Sequence, residues 1–208
     1  MLIPIHAEIT QIALGGIFTP KILEQVIKAN QKQDGFRGQI GHPEFHFDDN
    51  KIYESQRFIE DQRILVFKSL NVLKLDRAWQ AFGRLLHTTQ DFYAHSNYVL
   101  LWMAQLDKIA LPSAEEIEPL QQNLLISPQL TSGELYYPLE ILSFMPLLKK
   151  YVLPRLPRNS HAWMNLDSPA AGVKFEYAFS AAVKRTVIEF ENISLNISNE
   201  MLGQFIGG

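Results

Sequence analysis

The chain has 208 residues, 47% of them hydrophobic and 20% charged, with a formal charge of −3; that profile is globular and excludes a disordered or membrane-embedded chain. No strong basic excess gives a reason to expect tight binding to duplex nucleic acid through its phosphates. Cysteine is absent, so disulfides and thiolate metal sites are excluded, and any tight metal site must be built from His, Asp, Glu, backbone or terminal groups.

The opening MLIPIHAEITQIALGG lacks the basic region and uninterrupted apolar run of a signal peptide, because His6 and Glu8 break it. No window supplies the roughly 18 apolar residues that a spanning helix needs, so the expectation is a cytoplasmic protein without a transmembrane segment. HAEITQIAL reads as an amphipathic helix ended by Gly15 and Gly16, and PKILEQVIKANQKQ as a second one with proline in its first turn. DGFRGQIGHPEFHFDDN has glycines, a proline and no sustained period, and reads as a loop carrying Asp34, His42, His46, Asp48 and Asp49.

Residues 51–76 predict a long helix with Ile59, Ile64, Val66 and Phe67 inward, and 77–106 a second one. Residues 107–135 are less regular, and SPQLTSGELYYP is a loop. LEILSFMPLLKKYVL predicts an apolar helix, PRLPRNS a proline-punctuated break, and HAWMNLDSP a lead into a last helix, GVKFEYAFSAAVKRTVIEFENISL. No repeat or low-complexity stretch is present. The expected fold is all-α: a single helical domain over residues 1–208 with about six or seven helices.

The second long helix contains HTTQDFYAH, which places His87, Asp91 and His95 at intervals of four. At 100° and 1.5 Å per residue these lie on one stripe about 80° wide, each about 6 Å beyond the last. A carboxylate between two imidazoles suits the bridge between two divalent metals about 3.5–4 Å apart; equally, two ordinary helix histidines could flank an aspartate that hydrogen-bonds one of them. His6, His42, His46 and His161 fall at helix entrances or in loops, where a bundle gathers ligands from several segments. Imidazole with carboxylate favours zinc and is compatible with manganese or iron.

HAEIT near the start, ANQKQD and HFDDN around the first long loop, and GRLLHTTQDFYAHSNYV in the middle resemble the zinc-dependent phospholipase C and single-strand nuclease superfamily, and more closely its HET-C-like branch. The resemblance spans about residues 6–99. It implies an all-helical fold whose cleft holds up to three zinc ions, and hydrolysis of a phosphoester such as a phospholipid or nucleotide. It implies further that Asp34, His46 and His87 bind one ion, that Asp91 bridges to a second held also by His6, and that His95 belongs to a third with His161 and Asp167. His42 has no place in that pattern.

Two departures stand out. The amine that completes the second ion in secreted members would have to be that of Met1, and the His161 to Asp167 spacing is six rather than four, so that of the two or three zinc ions expected the third is in doubt, leaving two or one. Zinc lowers the pKa of bound water to about 7, and Asp34 or Asp91 would orient or deprotonate that water. Gln90, Ser96 and Asn97 read as partners that orient the imidazoles. Asp48 and Asp49 read as caps of the next helix, and Phe92, Tyr93, Tyr98 and Trp102 as core. Tyr136, Tyr137 and Trp163 are candidates for lining a cleft. Two other functions stay open: a non-hydrolytic binding or signalling module with a structural metal, and a metal-dependent enzyme of small-molecule biosynthesis.

Overall fold

The computed structural model describes residues 1–39, 41–106, 111–143 and 145–208. The described residues are all-α, with two isolated bridges, Ser96 with Ser132 and Glu134 with Ser160, and no sheet. In chain order the helices are α1 Ile3–Leu14, α2 Pro20–Gln31, α3 Phe36–Gln39, α4 Ile52–Asn71, α5 Leu75–His95, α6 Tyr98–Ala104, α7 Gln122–Leu125, α8 Leu139–Ser143, α9 Pro146–Val152, α10 His161–Met164, α11 Val173–Ser194 and α12 Asn199–Ile206. None of them is long and apolar enough to cross a membrane.

α5 is the axis of the fold. Its first half buries an apolar face through Ala78, Trp79, Phe82, Leu85 and Leu86, and from Leu85 to His95 every residue is buried. A helix buried all round must be wrapped by others: α2 and α4 pack along it, α11 lies on a further side, and α1 runs between α2 and α11. α2 comes unusually close because position 83 is glycine. A Cβ there would lie 2.5 Å from the Val26 carbonyl oxygen and 2.6 Å from Ala29 Cβ. At the start of α5 the rings of Phe18, Phe82, Phe190 and Phe205 meet at centroid distances of 5.3–6.0 Å, within the range at which aromatic pairs attract. The Trp79 indole N–H donates to the Phe205 carbonyl at 2.8 Å, tying α12 to α5.

Several boundaries differ from the sequence reading. The helix expected over 51–76 ends at Asn71, because Leu73 turns the chain back with φ 55°. The helix expected to run from 77 to 106 stops at His95; Ser96 is extended (φ −99°, ψ 166°), and its neighbour Asn97 pairs with Thr131 in both directions, at 3.0 and 2.9 Å. The apolar helix expected over 139–153 is two, α8 and α9. Pro146 disfavours helical geometry in the residue before it, and Met145 is indeed extended (ψ 115°). Phe144 of that helix, and residues 107–110 of the irregular stretch, lie outside the described residues. Ile64, expected inward, is exposed. α12 was not expected at all; Ser198, which accepts from the Met201 amide, and left-handed Gly207 delimit it.

Candidate metal centre

Five of the six histidines and four aspartates converge at the C-terminal end of α5. His87, Asp91 and His95 face one way from that helix, as their spacing requires, and meet side chains from four other segments: His6 of α1, Asp34 after α2, His46 and Asp48 from the 40s loop, and His161 with Asp167 around α10. His42 stands apart: its side chain is 44% exposed, stacks on Phe45 and pairs with Glu44.

The deep part is closed to solvent. His6, His87 and Asp91 have no solvent exposure, and the Asp34 side chain retains 8%. Asp91 Oδ2 lies 3.0 Å from both His46 Nδ1 and His87 Nε2, and those two ring nitrogens lie 3.0 Å from each other. Asp34 Oδ1 stands 3.8 Å from His87 Nε2 and 4.0 Å from His46 Nδ1. The other Asp91 oxygen, Oδ1, is 3.2 Å from His6 Nε2, which is itself 3.8 Å from Asp34 Oδ2. Neither His6 Nε2 nor Asp34 Oδ2 has a hydrogen-bond partner among the described residues, although both are buried. Ligands at about 2.0–2.1 Å around a tetrahedral zinc sit about 3.3 Å apart, and these separations bracket that value.

The far sides of the deep rings are held. His6 Nδ1 is 2.7 Å from Gln90 Oε1 and His87 Nδ1 is 3.2 Å from Asn30 Oδ1. Both partners are carbonyl oxygens, so Nδ1 carries the proton and Nε2 turns a lone pair into the cluster. Asn30 also donates to Gln90 at 3.0 Å, and Gln90 donates to Thr10 and Thr186 at 3.1 Å. Of the three expected orienting residues only Gln90 has that role. Ser96 donates to the Phe92 carbonyl, and Asn97 pins the 129–131 loop.

A second group lies nearer the surface, in a cleft of about 280 Å³ rimmed by Leu2, Ile3, Leu135 and Tyr137. Asp48 Oδ1 is 2.8 Å from His161 Nδ1 and 3.3 Å from His95 Nδ1, and His95 Nε2 is 2.9 Å from Asp167 Oδ1. His161 Nε2 and Asp167 Oδ2 are 3.8 Å apart, so the six-residue spacing still brings the pair together across the end of α10. The Met1 amine meets Asp91, and lies 3.2 Å from Asp167 and 3.3 Å from His95 Nε2.

Asp48 is the residue that sequence reasoning misassigned. It does not cap α4; the cap position there is Lys51. Phe47, Asp49 and Asn50 all have left-handed φ, between 52° and 56°, a strained choice for a phenylalanine. That backbone turns Asp48 inward, while Asp49 accepts from the Leu135 amide at 2.7 Å and Asn50 from the Ser132 amide at 3.1 Å. Gly133 completes the arrangement: a Cβ on it would lie 2.6 Å from His161 Cα. Tyr137 lines the cleft as expected, whereas Tyr136 bonds Glu134 and Asn159; Phe92, Tyr93, Tyr98 and Trp102 are core.

Charge in the cluster is sharply divided. Burial would raise the pKa of Asp91, but the Met1 amine and His95, then His87 and His6, hold it well below the usual range. Burial and neighbouring His6 push His87 well below an ordinary histidine, keeping it neutral. Burial and Asp91 raise Asp34. In the outer group burial is the largest influence and opposes charge on His95 and His161, but it is outweighed by Asp91, Asp48 and Asp167 together for the first and by Asp48 with Asp167 for the second. His95 is raised well above its normal value and His161 to about 9. Four carboxylates this deep need cations beside them, and the nearest cationic groups are His95, His161 and the Met1 amine.

A family model described as the VWA7 N-terminal domain matches residues 7–123, more than half of the chain. The chain belongs to the VWA7 N-terminal domain family. It is 29% identical over 127 residues to rat von Willebrand factor A domain-containing protein 7, and 31% identical over 127 residues to the mouse and human proteins of that name. Each alignment covers 53% of this chain and 14% of the relative, so the matched part is about one seventh of those proteins. No solved structure matches the chain.

Membership of the VWA7 N-terminal domain family overturns the likeness to zinc-dependent phospholipases and nucleases and to their HET-C-like branch. The phosphoester hydrolase inferred from that likeness falls with it. The physical reason is that an i, i+4, i+8 row of His, Asp and His reports where side chains point on a buried helix. It does not report what reaction, if any, takes place beside them. The segment matched to the family carries Asp34, His46, Asp48, His87, Asp91 and His95, while His6, His161 and Asp167 lie outside it.

Proposed function

We infer that this VWA7 N-terminal domain binds divalent metal ions, zinc foremost, and that the ions join segments of the chain that are far apart in sequence. His46, His87, Asp34 and Asp91 would form one ligand set, with His6 on the other oxygen of Asp91; Asp48, His95, His161 and Asp167 would form the outer set. The observation that carries this reading is that two buried atoms without a hydrogen bond among the described residues, His6 Nε2 and Asp34 Oδ2, lie 3.8 Å apart beside Asp91, whose Oδ2 forms a triangle with His46 Nδ1 and His87 Nε2 only 3.0 Å on each side. Unsatisfied buried polar atoms are costly, about 1–3 kcal/mol each, and a cation among them removes that cost.

Bound zinc supplies folding free energy by cross-linking its ligands. Here the ligands come from α1, the 34–48 segment, α5 and the stretch from α10 to Asp167, so the protein's contribution is to hold five rings and four carboxylates in register. His87 is already neutral, as a ligand imidazole must be; Asn30 fixes which of its nitrogens is presented, and Gln90 does the same for His6. His95 and His161 would have to release protons on binding.

Metal analysis of the purified chain after zinc loading and dialysis tests the reading. Two or more equivalents per chain are expected, with loss of at least one in His87→Ala, and zinc at about 100 times its Kd should add about 2.7 kcal/mol of stability. Background metal in the loaded protein, unchanged in His87→Ala, would mean that protons alone balance the carboxylates and would overturn it.

A further inference from the structure

The stretch from Tyr137 to Arg158 is two-faced. Glu140, Ser143, Val152 and Leu156 are buried, and the Trp163 indole N–H holds the turn after α9 by donating to the carbonyls of Leu153 and Leu156. On the outer side stand Tyr137, Ile141, Met145, Leu147 and Tyr151, with Leu147 84% exposed, the highest value among the exposed large apolar side chains.

Charge is segregated onto the same stretch. Lys149, Lys150, Arg155 and Arg158 are all exposed, and the single acid, Glu140, faces inward, accepting from the Ala162 and Tyr136 amides. These five groups sum to +3, so with a chain total of −3 the remainder of the protein carries −6. A basic, apolar surface on an otherwise acidic chain is complementary to one class of partner in both respects. Lipid headgroups of negative charge attract the cations, and the acyl boundary beneath takes projecting Leu, Ile, Met and Tyr side chains.

We propose that α8 and α9, with the turn that follows them, form a peripheral docking surface for an anionic lipid bilayer. Leu147 and Tyr151 enter the interface, Met145 and Ile141 extend the apolar area, and Lys149, Lys150, Arg155 and Arg158 lie at headgroup level. The protein lies on the bilayer rather than crossing it. This surface is independent of the metal reading, since none of these residues belongs to the ligand sets.

Vesicle flotation with the full chain tests the proposal, comparing phosphatidylcholine alone with phosphatidylcholine containing about 30% phosphatidylserine. Binding is expected only to the anionic vesicles and should weaken as salt is raised. At about fivefold per cation, Lys149→Ala/Lys150→Ala should lower the partition coefficient about 30-fold. Leu147→Asp/Tyr151→Asp should abolish binding. Ile12→Asp, which alters a similarly exposed apolar side chain on α1, should leave it unchanged. All five positions are exposed, and circular dichroism verifies that each variant is folded. Absence of binding to anionic vesicles, equal binding to neutral ones, or wild-type binding by either α9 double variant would overturn the proposal, as would an equal loss in Ile12→Asp.

Discussion

Gly83 lies one turn before His87, on the side of α5 that meets α2, and Gly83→Ala sets two known effects against each other. Alanine gains up to about 1 kcal/mol over glycine inside a helix. Against that, the new Cβ would lie 2.5 Å from the Val26 carbonyl oxygen, 2.6 Å from Ala29 Cβ and 2.9 Å from the Asn30 amide nitrogen. All three belong to the backbone or are fixed to it, so no rotamer change relieves them, and α2 itself has to move. Overpacking of this kind costs about 1–3 kcal/mol, and rigid contacts place it toward the upper end. The net loss is therefore about 1–2 kcal/mol, or about 2–8 °C in Tm for a chain of this size. Displacing α2 also carries Asn30 away from His87 Nδ1, at present 3.2 Å distant. Zinc affinity should fall together with stability. The assay is a thermal melt of the chelator-treated protein, paired with a zinc titration against a competing indicator. A Tm equal to or above wild type would refute the reasoning, because helix propensity would then have outweighed a contact argued to be immovable.

Asn30→Ala removes the acceptor of His87 and a donor to Gln90, so zinc should bind about 10–100-fold more weakly; competition with a chelator of known affinity reads this, and wild-type binding would contradict it. Glu189 is wholly buried and accepts from Arg63 at 2.9–3.3 Å and from Arg185 at 2.6–2.7 Å. Glu189→Ala leaves two largely buried guanidiniums without that carboxylate and should cost about 3–5 kcal/mol in urea denaturation; a loss under about 1 kcal/mol is incompatible with that account. In chelator-treated protein the pKa of His161 is raised from 6.5 to about 9, because Asp48 and Asp167 together outweigh the effect of burial. A folded pKa above the unfolded one gives stability that is complete below about pH 6.5 and is lost as pH rises through about 9, up to about 3 kcal/mol, with His95 acting in the same direction. A urea midpoint at pH 9 no lower than at pH 6.5 would argue against this charge assignment.

What was legible in the sequence was whatever short-range periodicity controls. The all-α fold followed from helical patterning; α1, α2 and α11 lie close to their expected limits, and α4 and α5 begin where expected but end 5 and 11 residues early. The row of His87, Asp91 and His95 was legible because an i, i+4 step fixes direction on a helix whatever surrounds it. Short elements were not: α12, with eight residues, and the split between α8 and α9 depend on caps and on a proline more than on period. The family was not legible either, since the motif that suggested a hydrolase encodes only the direction of side chains on one helix.

Only the tertiary structure decided which distant residues join that row. His6 and Asp34 reach it because α1 and α2 are wrapped onto α5, closely enough at Gly83 that no Cβ fits. Asp48 turns inward through left-handed backbone at Phe47 and Asp49, a conformation that no periodicity announces. His161 and Asp167, at a spacing that looked wrong for ligands, meet because α10 ends between them and the chain bends back. Local sequence sets the direction of a side chain from its own backbone; whether two such directions meet depends on contacts between residues as far apart as 45 and 113 positions, and these exist only once the core has packed.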